Sequence, residues 1–317
     1  MIAAGALFGY AIVVACGAAP LLARLTGRGA SARFGLAGWL TAMVSAGLSG
    51  LSGAYLVTAR AVADWVPLTQ AVCRSVAGSA CGPPVYRSML YEAGVTAVAI
   101  IVMIAGLAAL WRYCRRVQRA QRRTRAHAEA ALLTGRPLPG GPGTVVLDDP
   151  RPAAYCVAGR PATIVVTSSA LAVLDQPQLA AVLAHERAHL RERHDLVVLP
   201  FTALRRAFGW SQICADAHQS VALLIEMLAD DRALRARPAR ALAGALARFG
   251  TVGCGGADSA PDGALAVSGA AHEGEMTARV TRIMTPNPPP PAAVQFAICC
   301  AATLIVVVPV ALLVLPN

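Results

Sequence analysis

Hydrophobic and polar positions alternate along this chain on two scales. Four stretches are apolar without a single charged side chain: Ile2–Leu22, Phe34–Ala59, Ala93–Trp111 and Ala292–Leu315. A helix needs about 20 residues to cross the roughly 30 Å hydrocarbon core of a bilayer, so each is predicted to be a transmembrane helix. The first lacks the basic leader and the short apolar core of a secretory signal and is read as a retained span. Between the third and fourth stretches the pattern shortens to that of a folded domain. Residues 113–135 continue as a basic helix, and "TGRPLPGGPG" (134–143) is a linker full of helix breakers. Two β-like runs follow, "TVVL" (144–147) and "TIVVT" (163–167), with a turn-rich stretch between them.

Asp175, with Pro177 in the first turn, predicts the start of a helix that runs to about Arg193. A second helix is expected from about Gln219 to Ala236. "LVVLPFTALRRAFGW" (196–210) is too short and too charged to span. It suits either a helix lying on the membrane interface or a core helix of the domain. Residues 253–275, rich in Gly, Ala and Ser, read as a loop, and "PNPPPP" (286–291) as a stiff spacer. The fold expected is an α-helical membrane protein with four transmembrane helices. A mainly helical α+β domain, residues 113–291, is inserted between helices 3 and 4; residues 1–112 carry three helices and an outer loop 60–92, and 292–317 the fourth helix and tail.

Composition sharpens this picture. Apolar residues make up 56% of the chain and charged residues 14%, against about 25% charged in a soluble domain. The net charge of +11 is unevenly placed. Arg24, Arg28 and Arg33 lie between the first two spans, and seven arginines, Arg112 to Arg125, follow the third. By the positive-inside rule both termini lie outside and 113–291 is cytoplasmic. The arginine run suits anionic lipid better than nucleic acid, so the bilayer is the expected partner and direct nucleic-acid binding is not. Cys73 and Cys81 share the outer loop, where a disulfide could persist; no cysteine spacing matches a zinc knuckle.

The chemistry is concentrated in "VLAHERAHLRERHD", residues 182–195. Histidines at i and i+4 lie on one face of a helix, so His185 and His189 can reach one ion. Glu186, beside the first, can hold a metal-bound water and take its proton. Catalytic zinc usually has three protein ligands. "IEMLADDRAL" (225–234) supplies Glu226 for that third position, again with Asp230 at i+4. Asp230 is placed to accept from the far nitrogen of His185 and fix its tautomer; Asp231 is the poorer candidate by its angle on the helix.

With those residues in view, the chain resembles a known group. "HERAH" followed some forty residues later by "EMLADDRA" looks like the H-E-x-x-H plus E-x-x-A-D pattern of gluzincin membrane peptidases. The four-span layout, "RERHD" (191–195) and "CVAGRPATIVVT" (156–167) resemble the BlaR/MecR antirepressor family in particular. Those sensors continue into an extracellular penicillin-binding domain, which is not expected in a sequence that stops at Asn317. The resemblance implies a zinc metalloendopeptidase with one Zn2+ held by His185, His189 and Glu226, and Glu186 as general base. Its implied partner is a cytosolic protein substrate, a transcriptional repressor, cut in transmembrane signalling; a homo-oligomer is compatible with it. An extended substrate is expected to pair with the strand Thr163–Thr167, and His194 and His218 are the candidates for stabilising the oxyanion. Three other readings stand beside this: a quality-control protease of membrane proteins, a non-catalytic zinc-binding sensor or scaffold, and self-cleavage in loop 253–275.

Overall fold

A computed structural model describes residues 2–18, 20–22, 31–76, 129–157, 161–252, 265–266 and 273–285, with isolated positions between 94 and 126 and beyond 290. The expected third and fourth spans, apart from isolated positions, and residues 77–92 of loop 60–92 lie outside the described residues, and with them the Cys73–Cys81 pairing. The chain divides into two compact units, one of residues 1–22, 37–114 and 292–317, the other of 23–36 and 115–291.

In the first unit, helix α1 (Ile2–Val13) runs into a wider π-helical turn, Val14–Ala18, and α2 spans Ala32–Val76. Two helical segments, Ala3–Leu22 and Ala32–Arg60, are long and apolar enough to cross a membrane. α2 does not stop at Ala59 as expected, and residues 60–76 continue it. The end of an apolar run does not by itself interrupt the backbone hydrogen bonds of a helix. Hydroxyls tie the apolar segments together. Tyr10 Oη and Ser45 Oγ both donate to the carbonyl of Ile305, at 2.7 and 2.6 Å. Ser49, fully buried, returns its hydroxyl to the Ser45 carbonyl four residues back, so its own polar group is paired within the helix.

The second unit is built on a five-stranded mixed sheet: β1 (Arg136–Pro137), β2 (Thr144–Leu147), β3 (Ala154–Val157), β4 (Thr163–Thr167) and β5 (Leu265–Ala266), in the order β1-β2-β4-β3-β5. β4 is parallel to β2 and antiparallel to β3. β3, inside the stretch expected to be turns, is a short apolar run with all four residues buried. Side chains alternate across the sheet. Tyr155, Val157 and Val165 pack with Ala131 and Val145 on one face, and Cys156, Ile164 and Val166 join the larger core of helices on the other.

Those helices are α3 (Ser168–Val173), α4 (Gln176–Glu192), α5 (His194–Ala207), α6 (Gln212–Leu234), α7 (Ala239–Val252) and α8 (Glu273–Met284). α7 buries Leu242, Leu246 and Phe249, each contributing roughly 1.5–3 kcal/mol relative to exposure. It approaches α4 closely at Gly244, where a Cβ would stand 2.9 Å from Gln178 Nε2. α5 serves the core through Phe201, 2% exposed, while Arg205 and Arg206 face outwards. Leu196, Phe208 and Trp210 of the same stretch are exposed, so residues 196–210 carry features of both expected roles.

Candidate metal centre

α4 starts where its local chemistry requires. Asp175 Oδ1 accepts from the Gln178 backbone N–H at 2.8 Å, and Gln178 Oε1 accepts from the Asp175 N–H at 3.1 Å, a reciprocal capping box. The helix then carries His185, Glu186 and His189 into the interior, all at most 2% exposed. It ends at Arg193, which adopts the left-handed conformation (φ 51°, ψ 48°). That backbone costs a non-glycine residue about 1 kcal/mol or more. It reverses the chain at once, so His194 at the start of α5 folds back under α4.

α6 packs across α4 and presents Glu226 and Asp230 to it. His185 Nε2 lies 3.0 Å from His189 Nε2 and 3.3 Å from Glu226 Oε2, and His189 Nε2 lies 3.5 Å from Glu226 Oε1. A tetrahedral zinc about 2.0–2.1 Å from each donor would set donor separations near 3.3 Å. The triangle therefore has edges of the right size for one zinc ion, built from two imidazoles and a carboxylate, the donor types zinc takes. On the far side of the ring, His185 Nδ1 pairs with Asp230 Oδ1 at 2.9 Å.

Glu186 is fully buried, and neither of its oxygens has a well-formed hydrogen bond among the described residues. Burial pushes its carboxyl up to about 8, with Glu226 adding to the rise and the positive charges of His185 and Arg279 opposing it. The thiol of Cys156, on β3, lies beside Glu186 and is itself pushed well up, first by burial and then by that carboxylate. His185 moves the opposite way to most buried histidines. Burial works against its charged form, but Asp230 and Glu226 outweigh it and raise the ring to about 9. His189, also buried, falls to about 3.

Two residues that sequence reasoning passed over complete the surroundings. Arg279 on α8 is 2% exposed; its Nε and Nη2 donate to Asp230 at 2.9 and 2.8 Å, and Nη1 pairs with Glu226 Oε2 at 2.9 Å. It holds both carboxylates below their usual range against the opposing effect of burial. An arginine in "EMTARVTRIM", one charge among many, gave no signal that it would be buried. The second is Glu192, which pairs with Arg232 on one oxygen and with His194 Nε2, at 3.3 Å, on the other.

The two oxyanion candidates lie elsewhere. His194 Nδ1 faces His189 Nδ1 at 2.9 Å, so it backs the outer nitrogen of that ring rather than the face turned to His185 and Glu226. His218 engages Thr202 Oγ1 at 3.2 Å and Arg205 Nη1 at 3.4 Å and has no contact with the His185–His189–Glu226 group. The expected docking strand is also corrected. Thr163–Thr167 is paired along both edges, by β2 and by β3, and has no edge left for a substrate. The outer edge beside the site belongs to β3, where Tyr155 pairs with Ala266 and Cys156 with Leu265 of β5. Apart from β5 and Glu273–Glu275, loop 253–275 lies outside the described residues.

Comparison with known proteins bears on this site directly. Residues 115–232 match the model of peptidase family M48, a stretch that includes His185, Glu186, His189, Glu226 and Asp230 and stops before Arg279. Over 70 residues the chain is 37% identical to the Protease HtpX homolog of Acidiphilium cryptum (strain JF-5). That alignment covers 22% of this chain and 24% of the relative, so the chain spans about a quarter of the length of the curated protein it matches. The likeness to a metallopeptidase is thus shared with a peptidase family at large.

Proposed function

We propose that this protein is a membrane-bound zinc metalloendopeptidase with His185, His189 and Glu226 as the metal ligands and Glu186 as the general base. One observation carries the reading: a fully buried carboxylate, with a weakly donating thiol beside it, stands next to a donor triangle of zinc dimensions. A buried carboxylate so weakly satisfied costs stability, and a purely structural metal site has no use for one. The peptidase-family match supports the same reading.

Bound zinc would supply a Lewis acid for the scissile carbonyl and an acidified water at neutral pH. The remaining steps belong to the chain. Asp230 orients His185 through Nδ1, leaving Nε2 for the metal, and His194 backs His189 in the same sense. Arg279 keeps Glu226 and Asp230 ionised so that both can act. Glu186, whose carboxyl titrates near neutrality in its dry setting, takes the proton of the attacking water and passes it to the leaving amine. An extended substrate would lie along the outer edge of β3 in place of β5, which brings its backbone past Cys156 and Glu186.

The four-span layout with both termini outside, and the placement of this unit in the cytoplasm, follow from the arginine distribution. On that layout the substrate is a cytosolic protein, a transcriptional repressor in the antirepressor reading. In a second reading, with which the match to peptidase family M48 is equally compatible, the same chemistry cuts many membrane proteins. A terminus-resolved survey of cleaved proteins in cells carrying the intact chain or Glu186→Ala tests all three levels. One repressor fragment lost in the variant identifies signalling proteolysis. Many membrane-protein fragments lost together identify quality control. Identical fragment sets, with zinc present in both proteins, would overturn the protease.

A further inference from the structure

A groove of about 610 Å³ on the outer side of α4 is lined by Arg187, Arg191, Glu192, Arg232, Arg235 and Arg237. Five guanidinium groups meet one carboxylate there. That carboxylate is already engaged, because Glu192 pairs with Arg232 and with His194. Arg187, Arg191, Arg235 and Arg237 have no carboxylate partner among the described residues. Alanines 184, 188 and 236 form the rest of the lining and leave the arginine heads clear. Like charges gathered in a concavity repel one another and focus a positive field, an arrangement that favours anion capture.

We infer that this groove is a binding site for a phosphate-bearing ligand, either a lipid headgroup or a soluble phosphate compound. The arginine fork matches phosphate oxygens two at a time. The volume falls within the range of about 300–1,000 Å³ common to small-ligand sites. Along α4 the lining runs from Ala184 to Glu192, about 12 Å of helix at 1.5 Å per residue. Four uncompensated charges over that length suit a ligand whose negative charges are closely spaced. Same-side carboxylates of an extended acidic peptide are roughly 7 Å apart, too sparse to meet them all. On α4 the arginines of the groove, Arg187 and Arg191, point away from the buried face that carries His185 and His189, while Ala188 and Glu192 lie on the flank between them.

The test uses the full-length protein in phosphatidylcholine nanodiscs, titrated calorimetrically with inorganic pyrophosphate at about 0.15 M salt, where loose surface attraction is screened. Saturable binding is expected, weakened at least about tenfold in Arg191→Ala/Arg235→Ala and unchanged in Arg119→Ala/Arg122→Ala. Both pairs are exposed, and an unchanged unfolding temperature confirms that each variant folds. Repeating the titration in phosphatidylglycerol nanodiscs separates the sources. Loss of pyrophosphate binding there shows that lipid headgroups fill the groove, and undiminished binding shows a soluble ligand. Absence of saturable binding in phosphatidylcholine, or binding indifferent to Arg191→Ala/Arg235→Ala, overturns the proposal. So does displacement of pyrophosphate by tetraglutamate at lower concentration, which would give the groove to acidic peptides.

Discussion

His185 Nδ1 stands 2.9 Å from Asp230 Oδ1, and neither residue exposes more than 1% of its surface. The pair joins α4 to α6 and leaves Nε2 of the imidazole turned to His189 and Glu226. One contact thus sets the tautomer, the ring orientation and the packing of two helices. Its neighbour Asp231 has a different occupation, a two-pronged ion pair with Arg282 at 2.8 and 2.9 Å in a partly exposed position.

Asp230→Asn is therefore expected to weaken zinc binding about 10–100-fold. Asp231→Asn, at a side chain 36% exposed and outside the donor group, should change it no more than about threefold. Chelator competition with the two purified variants distinguishes them. Equal losses would show that the carboxylate count, and not the contact to His185, sets the affinity.

Arg279→Met removes the shared countercharge of the buried Asp230 and the partly buried Glu226. Breaking such a pair from one side costs about 3–5 kcal/mol, and chemical unfolding of the metal-free protein reads that loss. Zinc supplies positive charge at the same place, so its addition should stabilise the variant more than the wild type. A zinc-induced shift no larger than the wild-type shift would count against the role given to Arg279.

Glu186→Gln should lower hydrolysis by about 10²–10⁴-fold while the zinc content stays at the wild-type level. It should also stabilise the metal-free fold by about 1–3 kcal/mol at pH 8, since a buried charge supported by no more than a weak thiol donor among the described residues is removed. The sign follows from linkage. The folded carboxyl titrates at about 8, above its ordinary 4.5, so the fold penalises ionisation and metal-free stability falls as pH rises through this window. His185, raised to about 9, falls with it. The wild-type loss between pH 6.5 and 8 should then be steeper than that of the variant, as measured by unfolding at each pH.

Zinc affinity should climb with pH. Below about 9 the metal-free His185 carries a proton that the ion must displace, so each unit of acidification from pH 8 to 6 costs up to about tenfold in affinity. Metal-buffer titrations at the three pH values, with proton release recorded in the same cell, measure both sides of that exchange. An affinity flat with pH would mean that His185 is already neutral.

The local repeat of a helix, 3.6 residues per turn, was enough to read His185, Glu186 and His189 as one constellation and Glu226 with Asp230 as another. Asp175 and Pro177 announced the start of α4 in the same way, because a cap is a contact between residues three apart. Two of the four apolar spans and the strands at 144–147 and 163–167 were legible for a similar reason: length and period are properties of a segment alone. Other features depended on what a segment packs against. β3 was hidden because four buried residues after Pro152 look like any short apolar run until β4 pairs with them. The assignment of the docking edge went to the wrong strand because Thr163–Thr167 shows its β character in sequence but not its two neighbours. His194 was legible as a histidine, yet only the left-handed turn at Arg193 decided that it would face the back of His189. Arg279 lies 49 residues from Asp230, and its burial follows from α8 docking on the core through Ile283 and Val280. Spacing along a helix is set by covalent geometry, whereas the company a charged side chain keeps is set by how separate elements share one interior.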